Sequence, residues 1–138
     1  MNIPKDISTL YRKMNARINI MLADIGLSGS KALFLFCINE HGPMTQKDIC
    51  TRLDMDKSSV AKMLVRLEKN DFIIKERHGE DARAYNVRLT EKALSLIPQA
   101  LKIQNEWLEE ITKIFNQNEK NEFYRLIEKA ADSANKMV

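Results

Sequence analysis

Several residue types are scarce in this sequence of 138 residues, and each scarcity excludes a class of protein. The two cysteines, Cys37 and Cys50, have no CxxC spacing, which argues against a disulfide framework and a thiolate zinc site. The two histidines, His41 and His78, are too few for a zinc sensor. Three prolines and four glycines leave little room for low-complexity linkers. We therefore expect one folded domain without a metal site.

Long apolar runs and catalytic motifs are also missing. The longest strongly apolar run covers residues 32–38, which is far too short to cross a bilayer. The N-terminus has no charged-then-apolar signal pattern, so we expect a soluble cytoplasmic protein with reduced thiols and no membrane partner. No nucleophile elbow, phosphate loop or HExxH motif occurs. The sequence predicts no catalytic residues and no cofactor, and the protein is not expected to be an enzyme.

The charge is modest in total but uneven along the chain. The net charge is +3, which by itself is weak evidence for an anionic partner. The thirteen residues from Lys57 to Lys69 contain four basic side chains and a single acid, Glu68. A local charge of +3 in so short a stretch is a candidate binding surface for phosphate.

Apolar spacing and capping residues divide the chain into helices and one hairpin. Residues 7–25 carry a heptad-like apolar stripe, and the next helix, capped by Ser28, is apolar on most sides and should be buried. Thr45 with Asp48 opens a short helix, and Asp56 can cap the following one. Two strands with a charged tip come next. Two more helices begin near residues 90 and 118, and Pro98 should kink or break the first of them.

This order predicts a mainly α fold with a small β-hairpin, of the α+β class. A short helix, a tight turn, a second helix and a hairpin make up a winged helix-turn-helix. The second of these helices, residues 57–70, would place its apolar residues on one face. The opposite face carries Ser58, Lys62, Val65, Arg66 and Lys69, with Ser59 at its margin. The candidate DNA-binding residues of this helix are Lys57, Ser58, Ser59, Lys62 and Arg66. Basic residues often line a helix only because one face of the helix is exposed to solvent. Here the small hydroxyl residues at the helix start and the scarcity of acidic residues among the basic ones favour a DNA-binding face.

The segment "MDKSSVAKMLVRLEKNDFIIKERHGEDARAYNVRLTEKA", Met55 to Ala93, resembles the MarR family of bacterial transcriptional regulators. Its most specific parts are the D-x-R wing, Asp81-Ala82-Arg83, and the strand ending in Leu89-Thr90. Two positions depart from the family pattern. Asn70-Asp71 stand where glycine is usual, although both residue types tolerate a left-handed conformation. Ala93 replaces a second glycine and should simply extend a helix.

The resemblance implies a winged helix-turn-helix, residues 28–90, flanked by dimerisation helices in residues 1–26 and 91–138. It implies a homodimer on a pseudo-palindromic double-stranded DNA operator, and a repressor that responds to a small-molecule effector. Arg83 would enter the minor groove, where a guanidinium responds to the negative potential of A·T-rich DNA. Asp81 would orient Arg83 or pair with Arg77. The sequence does not identify the effector-binding residues.

Other interpretations stay open at this point. The domain could be a winged-helix protein-interaction or ligand-binding module without DNA binding. The apolar stripes of the first and fifth helices could pair within one chain rather than between two. Asp81 and Arg83 could be an exposed surface pair of little energetic weight. Cys37 and Cys50 are expected to be buried structural thiols, although a redox role is an alternative.

Overall fold

The computed structural model describes residues 1–78 and 81–137, apart from the side chains of residues 78 and 81–84. Within that part, the chain forms six helices and one two-stranded antiparallel sheet. The elements are α1 (Ile3–Ala23), α2 (Gly29–His41), α3 (Gln46–Leu53), α4 (Lys57–Lys69), β1 (Ile73–His78), β2 (Asp81–Leu89), α5 (Glu91–Thr112) and α6 (Gln117–Asn135). The predicted fold class, mainly α with a small hairpin, is confirmed. The chain divides into two compact units, Met1–Gln104 and Asn105–Val138.

The core of the first unit forms around α2, as its apolar composition predicted. Phe34, Leu35 and Ile38 of α2 are almost fully buried. They share the core with the inner faces of α1, α3 and α4 and with the hairpin residues Phe72, Ile73, Val87 and Leu89. Leu33 is the exception, because its side chain is 48% exposed. Burying each large apolar side chain contributes about 1.5–3 kcal/mol, so this cluster stabilises the scaffold that holds α3 and α4.

The helix starts follow the predicted capping residues. The Ser28 hydroxyl accepts the Lys31 amide at the start of α2, and Thr45 and Asp48 form a reciprocal capping box at the start of α3. Just before α3, Met44 exchanges two backbone hydrogen bonds with Val87 of β2. This bridge ties the first helix of the helix-turn-helix to the hairpin.

The turn that ends α4 is a Schellman motif with an aspartate in the position that glycine usually takes. The Phe72 amide donates to the Leu67 carbonyl at 2.9 Å, and the Asp71 amide donates to the Glu68 carbonyl at 3.1 Å. Asp71 has φ of +62°, which is the left-handed conformation. Of the two residues Asn70-Asp71 that were expected to tolerate this conformation, Asp71 adopts it.

The later helices differ from expectation in one respect. The sequence predicted a kink or a break at Pro98. The helix does not break there, as α5 runs without interruption from Glu91 to Thr112. Proline removes one helical hydrogen bond, but Ile97 and Ala100 on either side are buried within the first unit, to which this part of α5 belongs.

The second unit contains the end of α5 and the whole of α6. Asn116 and Glu119 form a capping box at the start of α6, and the rings of Phe115 and Phe123 meet edge to face at 5.5 Å. Lys120 pairs with Glu109 across the turn at 2.5 Å. No described residue of α6 is buried. Among the described residues, no helix is long and apolar enough to span a membrane.

Candidate nucleic-acid interface

Helix α4 has two faces of opposite character. Val60, Leu64 and Leu67 are buried against the core, which leaves the opposite side of the helix in solvent. That outer side carries four exposed polar or basic residues, Ser58, Lys62, Arg66 and Lys69, whereas Lys57 lies at the helix start on the side of Leu64. Val65 lies among them with 47% of its side chain exposed.

The basic side chains of α4 have no ion-pair partner among the described residues. The charged groups of Lys62 and Arg66 make no ion pair or hydrogen bond with any described residue, and neither do the ammonium groups of Lys57 and Lys69. A lysine and an arginine one turn apart, with a small apolar side chain beside them, can contact phosphates, base edges and a thymine methyl in a DNA major groove. The structure therefore brings Ser58, Lys62 and Arg66 of the predicted set together on one accessible surface, whereas Lys57 lines the side of the helix that carries Leu64.

Ser59 is the member of this set whose hydroxyl is already occupied. Its Oγ donates to Asp56 Oδ1 at 2.7 Å, and its backbone amide donates to Asp56 Oδ2 at 2.9 Å. The hydrogen bond from the Ser59 side chain, followed by that from its backbone, lowers the pKa of the Asp56 carboxyl. The amide of Ser59 is therefore unavailable to phosphate, and Ser59 acts first as part of the helix cap. The Ser58 hydroxyl is exposed and makes no hydrogen bond with a described residue.

The hairpin presents two different faces near its base. On one face Arg88 holds Glu76, with Nη2–Oε1 at 2.9 Å and Nε–Oε1 at 3.0 Å. Arg88 is thereby occupied, which makes it a poor phosphate ligand. Lys75 precedes Glu76 in β1, and successive side chains of a strand point to opposite faces, so Lys75 lies on the other face, where it pairs with Val87.

The predicted wing contacts fall at the edge of the described structure. Arg77 is exposed on the same face as Lys75 and lies opposite Tyr85 in the sheet register. The side chains of Asp81 and Arg83 lie outside the described residues. The predicted minor-groove contact of Arg83 and the support by Asp81 stay predictions.

A cleft of about 640 Å³ lies between α3, α4 and the hairpin. Leu64 and Val87 contribute to its apolar lining, and the amines of Lys47, Lys57 and Lys75 belong to three different elements around it. Lys47 was missed by the sequence reasoning, which considered charge along one helix at a time. The signal was its place as the second residue of α3, the helix that precedes the turn into α4, because this place brings Lys47 to the same cleft as Lys57.

The two cysteines differ in their surroundings. Cys37 is buried in α2, and burial raises the pKa of its thiol, although the Arg52 guanidinium acts in the opposite direction. A neutral buried thiol is a poor nucleophile, in line with the structural role expected for Cys37. Cys50 is partly exposed and lines the cleft, so the expectation of a fully buried residue is wrong for Cys50.

Comparison with known proteins supports this geometry. The family model described as the MarR family matches residues 27–85, which contain α2, α3, α4, β1 and the start of β2. An uncharacterized HTH-type transcriptional regulator, YwoH, of Bacillus subtilis is 31% identical over 120 residues, covering 87% of each chain. The chain belongs to the MarR family. Its members are HTH-type transcriptional regulators that bind DNA, and this membership confirms that the protein is not an enzyme.

Two solved structures share this fold. A MarR transcriptional regulator from Methanosarcina mazei Go1 is 27% identical with a TM-score of 0.91, and the match covers 99% of this chain and 98% of that one. The S. aureus MepR–DNA complex is 18% identical with a TM-score of 0.84, covering 97% of this chain and 99% of that one. The winged helix-turn-helix predicted from the order of elements is therefore confirmed.

Proposed function

We propose that this MarR protein is an effector-responsive repressor that binds a pseudo-palindromic operator as a homodimer. The observation that carries the proposal is the outer face of α4, where Lys62 and Arg66 are exposed and have no partner among the described residues, while the inner face is buried. MepR, a neighbour in fold, was solved as a DNA complex, which supports the same use of the fold here. Because it acts on DNA, we place the protein in the cytoplasm.

In this proposal α4 lies in the major groove. Lys62 and Arg66 contact phosphates or base edges, Ser58 and Lys57 contact the backbone near the helix start, and Val65 can meet a thymine methyl. Arg83 of the wing enters the adjacent minor groove, with Asp81 and Arg77 as its supports. Replacing Arg83 with alanine should then weaken operator binding and leave thermal stability nearly unchanged.

The homodimer is supported by apolar side chains that one chain leaves exposed. In α1, Ile7 and Tyr11 are 60% and 61% exposed, and in α6, Leu126 and Ile127 are 49% and 53% exposed. Exposed apolar residues repeated along a helix are typical of surfaces that pair with another helix. We propose residues 1–26 and 91–138 as the dimerisation region and 28–90 as the DNA-binding lobe. A two-fold dimer would place half-sites about 34 Å apart, or a multiple of that distance.

The regulatory step would be a shift between two states of the dimer. An effector that binds better to a dimer with wrongly spaced α4 helices lowers the population that fits the operator. This predicts that DNA and effector each weaken the binding of the other by the same factor. The chemical class of the effector is left open.

Selection of bound duplexes from random double-stranded DNA tests the proposal. The wild type should enrich a sequence with two related half-sites, whereas the double variant Lys62→Ala/Arg66→Ala should enrich none. Repeating the selection with candidate effectors identifies those that abolish the enrichment. Failure of the wild type to enrich any sequence would favour the alternative, a winged-helix module for protein or ligand binding.

A further inference from the structure

Three consecutive carbonyls at the end of α4 are held by the beginning of α5. Lys92 Nζ donates to the Asn70 carbonyl at 2.7 Å, the Thr90 hydroxyl donates to the Asp71 carbonyl at 2.7 Å, and the Thr90 amide donates to the Phe72 carbonyl at 3.0 Å. The donors follow the acceptors by about twenty residues, with the whole hairpin between them. This set of bonds, here named the α4–α5 joint, lies entirely within the first compact unit.

Lys92 makes two contacts in the joint. Besides its bond to Asn70, its ammonium lies 4.7 Å from the centroid of the Phe72 ring, and that ring is 2% exposed. A cation over an aromatic face is attracted by the ring electrons. The ammonium of Lys92 therefore has partners within the protein, whereas the charged groups of Lys62 and Arg66 have none among the described residues.

The α4–α5 joint begins at Asn70, one helical turn beyond Arg66. The Asn70 amide donates to the Arg66 carbonyl at 3.0 Å, so Arg66 and the joint are linked through a single backbone bond. The Thr90 hydroxyl also accepts the Ala93 amide at 3.2 Å, which caps α5 with the same group that holds the turn. A small rotation of α4 about its axis would have to break bonds that α5 makes to residues 70–72.

We infer that Lys92 is a positioning residue for sequence-specific DNA recognition, which holds the end of α4 against the start of α5 so that Arg66 and Lys62 keep one orientation. The inference rests on the proposed binding of DNA by α4. Non-specific binding needs only positive charge near phosphates, whereas base contacts need side chains in fixed places. Loss of Lys92 should therefore reduce discrimination between sequences more than it reduces affinity for random DNA.

The test compares Lys92→Met with Lys102→Met by titrating each full-length variant with a selected duplex and a scrambled one. Methionine keeps an unbranched apolar stem of similar length and removes the ammonium. Lys102 is also an exposed lysine of α5 and makes no contact with a described partner, so both variants lose the same charge. We expect the ratio of specific to scrambled affinity to fall by about threefold or more for Lys92→Met only. Lys92→Arg, which retains a cation, should restore at least part of it.

Salt dependence separates positioning from direct contact. Lys92→Met should leave the slope of log affinity against log salt unchanged, whereas a lost phosphate contact would reduce it by about 0.9 per protomer. A reduced slope, or equal discrimination in the Lys92 and Lys102 variants, would overturn the inference while leaving DNA binding by α4 intact. Failure of the wild type to distinguish the two duplexes would overturn the proposed function and this inference together.

Discussion

Replacing Lys62 with alanine should weaken operator binding through a salt-dependent term and leave folding unchanged. Lys62 is exposed on α4 and has no partner among the described residues, so the variant breaks no interaction that stabilises the fold. A surface substitution of this kind changes the free energy of unfolding by no more than about 0.5 kcal/mol. Any loss of affinity therefore reports on DNA contact.

The magnitude follows from counterion release. Each phosphate neutralised on B-DNA contributes about 0.9 to the slope of log affinity against log salt. A homodimer on a palindromic operator carries Lys62 twice, so the slope should shrink by about 1.8 if each copy meets a phosphate. Between about 50 and 200 mM salt, the wild type should lose about twelvefold more affinity than the variant.

Fluorescence anisotropy of a labelled selected duplex across that salt range measures both slopes. Lys102→Ala is the matched control, because it removes one exposed lysine outside α4. A slope change near 0.9 would indicate that one chain engages the operator. Equal slopes for Lys62→Ala and wild type would refute the assignment of a phosphate contact to Lys62.

Three further predictions concern the turn after α4, its cap and the oligomer. In urea denaturation, Asp71→Gly should keep the free energy of unfolding or raise it by up to about 1 kcal/mol, because glycine adopts the left-handed conformation of this position without strain. Asp71→Val should lower the free energy of unfolding, because a β-branched residue is strained there. Equal stability of the two variants would contradict this prediction. The folded-state pKa of Asp56 is lowered, so its stabilising effect is present above the unfolded pKa and is lost as pH falls through the folded one. Asp56→Asn should therefore flatten the acid limb of a thermal-stability profile, and an unchanged limb would count against the cap. In analytical ultracentrifugation, the wild type should sediment with twice the 16.0 kDa mass of one chain. Ile7→Glu should shift the equilibrium towards the monomer. A monomeric wild type would refute the proposed dimer.

Local features were predictable because their causes lie within a few residues. The caps at Ser28, Thr45 and Asp56 each depend on one side chain and an amide three residues later, and all three occur where the sequence placed them. The inner face of α4 was equally predictable, since helical spacing alone assigns Val60, Leu64 and Leu67 to one side.

Contacts between distant segments were not predictable in the same way. The bond from Lys92 to Asn70 joins residues 22 apart, and nothing in the spacing of either residue indicates it. The pairing of Arg88 with Glu76 depends on the register of the hairpin, which the sequence did not determine. The strands also extend further than the apolar runs at their bases, because the backbone pairing continues into charged residues.

The most direct test of the account is the affinity ratio between a selected operator and a scrambled duplex for Lys62→Ala/Arg66→Ala. The matched control is Lys102→Ala/Lys129→Ala, which removes two exposed lysines from α5 and α6. We predict that the α4 variant loses about tenfold or more of the wild-type discrimination, since each specific base contact is worth about 1–3 kcal/mol, while the control keeps it. Full discrimination by the α4 variant would contradict the claim that α4 reads the DNA.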